Sequence, residues 1–274
     1  MSNALGSVKW SQPVIKGVIP TIKNHTVTAH NGMLYCFGGY DGHINHMSLM
    51  VYNVEKQQWT KVLREGELED DVEIMSSMRS SSNNNNNHNR SGTQQRSSGN
   101  NYNSYRFGEN DRSAIGRSHD YITMIGNPPS GRNGHSATLV KRKSEGYDDE
   151  EEEERICIFI IGGWMGSGPY AADDLHILDI TNSEEFIWVS AREAHGNKPG
   201  PCNMHSADFI SSKNEIYVFR GGNGCEYLNE LFALNVNNLC WRRVQTKGEV
   251  PQQRANHSSV FLEETSQLII FGGW

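Results

Sequence analysis

The sequence predicts an all-β protein built from a repeated four-stranded antiparallel unit, and three observations carry that prediction. A short apolar run closing on glycine occurs four times: LYCFGGY at Leu34–Tyr40, ICIFIIGGW at Ile156–Trp164, IYVFRGG at Ile216–Gly222 and LIIFGGW at Leu268–Trp274. Runs this short and this rich in Ile, Val and Phe read as buried strands, and the glycines turn the chain sharply because they take positive φ without steric cost. Upstream of each run stands a histidine followed by small or β-branched residues: His25, His135, His205 and His257. Downstream comes a second amphipathic strand and then a tryptophan, as in MSLMVYNV with Trp59, DDLHILDI with Trp188 and NELFALNV with Trp241. Each unit is therefore a His strand, a glycine-ended strand, a Leu strand and a Trp strand.

The spacing supports one period. Phe37 to Leu49 and Phe219 to Leu231 are both twelve residues, and Leu49 to Trp59 and Leu231 to Trp241 are both ten. Successive tryptophans lie 49 (Trp10 to Trp59), 129 (to Trp188) and 53 (to Trp241) residues apart. Two insertions account for the long interval, about 60 residues between Trp59 and His135 and about 12 between His135 and Ile161; without them a period near 50 holds throughout.

A four-stranded unit of this length, ending in the pairs Gly38–Gly39, Gly162–Gly163, Gly221–Gly222 and Gly272–Gly273, resembles the kelch repeat of β-propellers. The last unit carries the fuller signature in Trp241, Gly248, Pro251, Arg254, His257, Ser258, Phe271, Gly272 and Gly273, and Trp10, Gly17, Pro20 and His25 repeat its first part. The resemblance covers nearly everything outside the insertions. It implies a kelch-type β-propeller of four-stranded antiparallel blades, of which about three and a half are present as an open partial ring. Two departures stand out: Arg220 occupies the place of a first glycine, which suggests a turn shifted by one residue onto Gly221–Gly222, and Ile22 and Cys202 stand where an arginine precedes the histidine elsewhere.

Residues 1–66 hold a leader and the first blade. Trp10 belongs to a Trp strand with no unit before it, so Ser7–Val14 is expected to stitch the final blade. Residues 67–125 are an Asn/Ser/Gln/Arg mixture with NNNNNHN at Asn83–Asn89, too poor in apolar residues to offset a backbone ordering cost of about 1–2 kcal/mol per residue, and are expected to be a disordered insertion. Its Arg–Ser steps read either as kinase or docking elements or as part of an inert expansion. Residues 126–198 form the second blade, interrupted by an acidic hairpin at 141–155; residues 199–250 form the third, and 251–274 the first half of a fourth. Fewer than four blades implies a fragment of a longer propeller.

Composition bounds the function. The net charge of −7 equals the seven carboxylates of Asp148–Glu154, leaving 25 acidic against 25 basic residues elsewhere. That run reads as a solvated hairpin tip or as a dock for a basic partner, and a neutral remainder offers no basic face for nucleic acid. With no apolar run of membrane-spanning length and no signal-type leader, a cytoplasmic or nuclear protein is expected, and five cysteines, an odd set, fit reduced thiols rather than disulfides. The four histidines recur once per blade and are spread round the ring, so they are expected to satisfy backbone groups within the sheets; His43 with His46, and Cys202 with His205, lack a second pair at zinc-like spacing. No metal or cofactor is expected.

The resemblance also admits metal-dependent propeller enzymes, but no matching carboxylate–histidine set, phosphate cradle or nucleophile elbow is legible, and catalysis is not expected. It implies instead a non-catalytic scaffold that binds a protein partner through loops on the ring face. The residues just past the glycine pairs and their neighbours, Tyr40, Asp41, His43, Trp164, Met165 and Trp274, are the candidate contacts, because aromatic residues beside flexible glycines have the composition of interaction hot spots. A structural role, covering the ends of the blades, is the competing reading of the same rings. Two settings follow from the resemblance: a cytoskeletal or cell-polarity scaffold, and a substrate receptor of a ubiquitin ligase.

Overall fold

The computed structural model describes residues 10, 12, 14–15, 21–65, 121–143 and 153–274. In chain order the strands begin β1 (Thr26–His30), β2 (Met33–Phe37), β3 (Leu49–Asn53), β4 (Gln58–Arg64) and β5 (Tyr121–Ile125). They continue with β6 (Ser136–Lys143), β7 (Glu154–Ile161), β8 (Leu175–Asp179), β9 (Glu185–Val189) and β10 (His195–Gly196). The last are β11 (Ser206–Ile210), β12 (Glu215–Phe219), β13 (Leu231–Asn235), β14 (Cys240–Arg243), β15 (His257–Leu262) and β16 (Gln267–Gly272). Three antiparallel four-stranded blades, β1–β4, β6–β9 and β11–β14, are followed by the two-stranded sheet β15–β16. Among the described residues the one helical element is a three-residue turn at Ser211–Lys213.

The core lies between blades, which explains why the glycine-ended strands are continuously apolar instead of alternating. In β7, Ile158 and Ile160 face Tyr35, Phe37 and Val51 of the first blade, while Cys157, Phe159 and Ile161 face Ile216, Val218 and Trp241 of the third. A strand sandwiched on both sides has no polar face to show.

Two short strands lie outside the four-stranded unit. β10 pairs in parallel with β14 at the outer edge of the third blade. β5 does the same against β9, and its other edge pairs in parallel with the end of β4, so the first two blades become one nine-stranded sheet. Tyr121–Ile125 thus corrects the expectation that the insertion runs to residue 125: Ile122 and Met124 alternate into the core between the two blades. A five-residue strand is lost in the average composition of a polar stretch. The remainder of that insertion, residues 67–120, lies outside the described residues, as do residues 144–152 of the acidic hairpin.

The proposed stitching strand, Ser7–Val14, lies mostly outside the described residues, which include positions 10, 12 and 14 alone of that stretch. Among the described residues of Ser7–Val14 none is in a strand, and Trp10 is 93% exposed. Trp59, Trp188 and Trp241 each sit opposite a residue of their own Leu strand (Tyr52, Leu178 and Leu234).

Adjacent blades approach to backbone contact at the glycine turns. A Cβ on Gly162 would lie 2.2 Å from the Cys202 carbonyl oxygen of the next blade, and one on Gly38 would lie 2.7 Å from the Arg132 carbonyl oxygen. The approach is closed by Gly39 N–H donating to Arg132 O and Gly163 N–H to Cys202 O, both at 2.8 Å. Gly162→Ala is expected to destabilise the fold by about 2 kcal/mol or more, since backbone strain and a backbone collision add. Gly32→Ala, at positive φ but with nothing within 4 Å of its Cβ, should cost only about 1 kcal/mol for the backbone term. Urea denaturation of the two variants measures the difference.

Candidate functional site

Two sets of residues converge at the glycine-turn end of the blades, one round the ring axis and one on the loops. Around the axis, three of the four histidines are buried against the preceding blade and meet its hydroxyl, while His25 of the first blade is exposed: His135 Nε2 lies 2.9 Å from Thr26 Oγ1, His205 Nε2 2.9 Å from Ser136 Oγ, and His257 Nε2 3.0 Å from Ser206 Oγ. The ring edges of His135 and His257 also meet Phe37 and Phe219. The expectation that the histidines satisfy backbone groups within their own sheets is corrected for His135, His205 and His257, which make cross-blade side-chain contacts. The residue before each histidine, Asn24, Gly134, Met204 and Asn256, is left-handed. These residues are linked by Gly134 N–H to Asn24 O, Met204 N–H to Gly134 O and Asn256 N–H to Met204 O. The four pairs line an axial recess of about 160 Å³.

Burial pushes His135 and His205 down to about 3, with the Arg132 guanidinium adding to the effect on His135, and burial lowers His257 as well. These rings are neutral and committed to packing, and among the described residues no three His, Cys, Asp or Glu side chains gather as a metal site would require.

An arginine–acid pair sits at each of the next two turns. Arg132, fully buried, donates through Nη1 to Gly162 O at 2.8 Å and forks onto Asp174 at 2.6 and 2.9 Å, while His176 meets the same carboxylate at 2.8 Å. Burial alone would raise Asp174, but those hydrogen bonds outweigh it and hold its carboxyl well below the usual range. In the third blade Cys202 occupies the arginine position, and the guanidinium comes from Arg220 instead, which donates to Pro201 O at 3.1 Å and lies 3.6 Å from Glu230. Glu230 and Asp174 are equivalent, each preceding its Leu strand. The expected one-residue shift of the turn is therefore corrected. Gly222 bridges to Asn203 as Trp164 bridges to Asn133, so Gly221 keeps the second-glycine place and Arg220 fills the first without moving the register.

On the loops, the turn residues Tyr40, Trp164 and Gly222 bridge back to the segment before each His strand, at Lys23, Asn133 and Asn203. Cross-blade bonds then latch one loop to the next: Asn133 Nδ2 donates to Asn45 Oδ1 at 2.7 Å, Asn45 Nδ2 to Trp164 O at 3.2 Å, and Ala171 N–H to Asn223 O at 2.8 Å. Tyr227 and Trp274 meet edge to face at 5.1 Å. The candidates named from the sequence divide accordingly. Asp41 accepts from the His43 and Ile44 N–H groups and faces His46 Nε2 at 2.9 Å; the two backbone bonds lead in holding its carboxyl down at about 2. Tyr40 donates to Gly42 O and lies under Lys23. Tyr40 and Asp41 therefore build their loop, Trp164 is half-buried, and Met165, His43 and Trp274 are exposed. Ile44, Tyr170 and Tyr227 are exposed on the same loops and were not singled out in the sequence, because their distance from the glycine pairs differs between units. A Tyr or Ile inside a loop rich in Gly, Asn, Asp and Ser is the signal that could have found them.

At the opposite end, the described part of the acidic run, Glu153 and Glu154, is paired with Arg155 and Lys141 of its own hairpin. A cleft of about 670 Å³ also lies between the second and third blades, lined by Trp188, Trp241, Asp174, His176 and Lys198 among others.

Comparison with known proteins finds a family model described as the KLHDC2/KLHL20/DRC7 Kelch-repeats domain over residues 154–274 and one described as the Kelch motif over residues 22–62. Host cell factor of Drosophila melanogaster is 28% identical over 159 residues, 53% of this chain and 9% of that protein. A probable serine/threonine-protein kinase of Dictyostelium discoideum is 32% identical over 117 residues, 42% of this chain and 8% of that protein. The host cell factor homolog of Caenorhabditis elegans is 24% identical over 251 residues, 86% of this chain and 29% of that protein. The chain spans less than a third of the length of each of these relatives.

Two outcomes are expected of the buried groups. An unfolded histidine binds its proton below about pH 6.5, whereas His135 and His205 stay neutral in the fold down to about 3, so the unfolded chain holds more protons across that window. Stability should therefore be fully present above about pH 6.5 and fall as the pH drops toward about 3, with His205→Gln showing a shallower decline in urea midpoint between about pH 7 and about pH 5. Arg132→Met, which leaves Asp174 without its buried partner, should cost about 3 kcal/mol in the same assay.

Proposed function

The chain belongs to the kelch-repeat family, and from that premise we propose that it is a non-catalytic protein-interaction module whose partner docks on the loops at the glycine-turn end of the blades. The observation that carries this reading is the exposure of Ile44, Met165, Tyr170 and Tyr227 on loops whose backbones are tied to one another across blades. Apolar side chains on a pre-ordered backbone lose little conformational freedom when a partner covers them, which is the physical profile of a binding hot spot. The titratable groups of the same region support the absence of catalysis. Asp174 is held by Arg132 and His176, Asp41 by its loop, and the axial histidines by neighbouring hydroxyls, so none of them is poised to exchange a proton with a substrate.

Within this reading the setting we favour is a cytoskeletal or cell-polarity scaffold, and the alternative is the receptor subunit of a ubiquitin ligase. Both use the same face, and the identity of the captured proteins separates them. No helix among the described residues is long and apolar enough to cross a membrane.

The test is affinity capture with the full chain, followed by quantitation of each captured protein against variants. The pair Met165→Ser and Tyr170→Ser should reduce capture of the specific partner at least tenfold with thermal stability unchanged, while Lys213→Ala at the opposite end of the blades should leave capture intact. Equal capture by all three proteins would overturn the assignment to this face.

A further inference from the structure

The junction between the first and second blades and the junction between the second and third follow one plan, and the second of them lacks part of its filling. Ahead of each His strand an outer strand runs parallel to the Trp strand of the same blade, β5 beside β9 and β10 beside β14. The two outer strands correspond residue by residue. Each runs into a Gly–Asn step, in GNPP at Gly126–Pro129 and GNKP at Gly196–Pro199, and a Cβ on Gly126 or Gly196 would lie 3.0 or 2.3 Å from the carbonyl oxygen of Trp188 or Trp241. Two places before the glycine, Met124 in one strand therefore corresponds to Ala194 in the other, and at the ends of the glycine-ended strands Phe37 corresponds to Ile161.

Between the first and second blades these positions are filled. The Met124 sulfur accepts the Trp188 indole N–H at 3.1 Å, and Phe37 packs against the same indole at 5.7 Å. Between the second and third blades the smaller Ala194 and Ile161 stand in their places and Trp241 in that of Trp188, and all three line the cleft of about 670 Å³. A small side chain in the place of a large one leaves space that the surroundings close only in part. Trp241 is 4% exposed, yet its indole N–H has no acceptor among the described residues. A buried donor left in this way is costly and is satisfied by whatever acceptor enters the space. Both walls belong to blades whose four strands are all described.

We propose that the cleft is a socket for a methionine side chain carried by the protein partner, which takes beside Trp241 the place that Met124 takes beside Trp188. The assignment deepens the reading of the loops as a docking face and rests on it, since Asp173, Asp174 and Leu175 of the cleft wall follow directly on the loop that carries Met165 and Tyr170. A long unbranched thioether suits the site twice over: its three rotatable bonds adapt to an irregular space, and its sulfur is a weak acceptor for the indole N–H. The cleft is larger than one side chain and has room for the peptide backbone on either side of it. Lys198 and Asp173, both exposed and both lining the cleft, supply a donor and an acceptor for that backbone.

The experiment has two arms, both on the full chain. In the first, the isotope-labelled chain is titrated with N-acetyl-L-methionine methylamide or its alanine counterpart while the indole N–H resonances are followed by NMR. The methionine probe should move one indole resonance, the one lost in Trp241→Phe, and the alanine probe should bind at least tenfold more weakly. Ala194→Met, which fills the socket from within, should abolish the response with thermal stability equal or higher. Ser190→Arg, at an exposed position lining the cleft, should block entry and gives the same reading if Ala194→Met does not fold. In the second arm, affinity capture of the specific partner should fall at least tenfold with either variant. An unmoved Trp241 resonance, equal binding of the two probes, or capture unchanged by both variants would each overturn the socket. The first arm contains no partner, so its failure leaves the loop reading intact. Capture that is lost on changing Met165 and Tyr170 but kept in Ala194→Met and Ser190→Arg overturns the socket alone.

Discussion

The constraint on which the structure depends is the contact between the end of one blade's glycine-ended strand and the next blade's His strand. At 2.2 Å from a hypothetical Cβ on Gly162 to the Cys202 carbonyl there is room for a backbone and for nothing else. That approach lets Gly39 and Gly163 donate hydrogen bonds across the gap and places His135 and His205 against the hydroxyl of the blade before each. A sheet packed against another sheet leaves a layer of side chains between them, and here the layer thins to backbone contact at one end. The interior is correspondingly close-packed, with Phe159, Ile160 and Ile177 at or near zero exposure between blades.

What happens where the rule is broken shows which part of it matters. The third unit lacks the first glycine, and Arg220 stands in its place with its register intact. The guanidinium it supplies meets Glu230, as Arg132 meets Asp174 one blade earlier. In the first unit the two positions hold Ile22 and Ser48, and neither charge is present. Cation and carboxylate are thus both present or both absent in the first three units, as expected when a buried charge without its partner is costly and the pair itself is nearly neutral in energy. The second glycine, by contrast, is kept in all four units, and in the third a Cβ on Gly221 would lie 2.3 Å from Asn203 O.

The same junction orders the loop face. Because the blades are tied at their glycine turns, the loops that leave those turns start from fixed positions, and bonds such as Asn45 Nδ2 to Trp164 O bind them into a continuous ridge. Tyr40 and Asp41 are consumed in building that ridge, and the side chains it leaves exposed are Ile44, Met165, Tyr170 and Tyr227, the contacts of the proposed reading. The first residue past the glycine turn is engaged in a bridge to its own blade, at Tyr40, Trp164 and Gly222.

The sequence by itself determined the repeating unit, its four strands and their order, because each of these is written in local patterns: an apolar run, a glycine turn, a fixed step to the next leucine. It also marked the histidines and Arg220 as unusual without revealing what they touch. Those partners lie across blades, 109 residues apart for His135 and Thr26 and 69 for His205 and Ser136, and no local period connects them. Tertiary structure alone made a strand of Tyr121–Ile125, whose pairing edges come from two different blades. Turn chemistry and hydrophobic pattern act over a few residues; the closeness of one blade to the next is set by the packing of whole sheets.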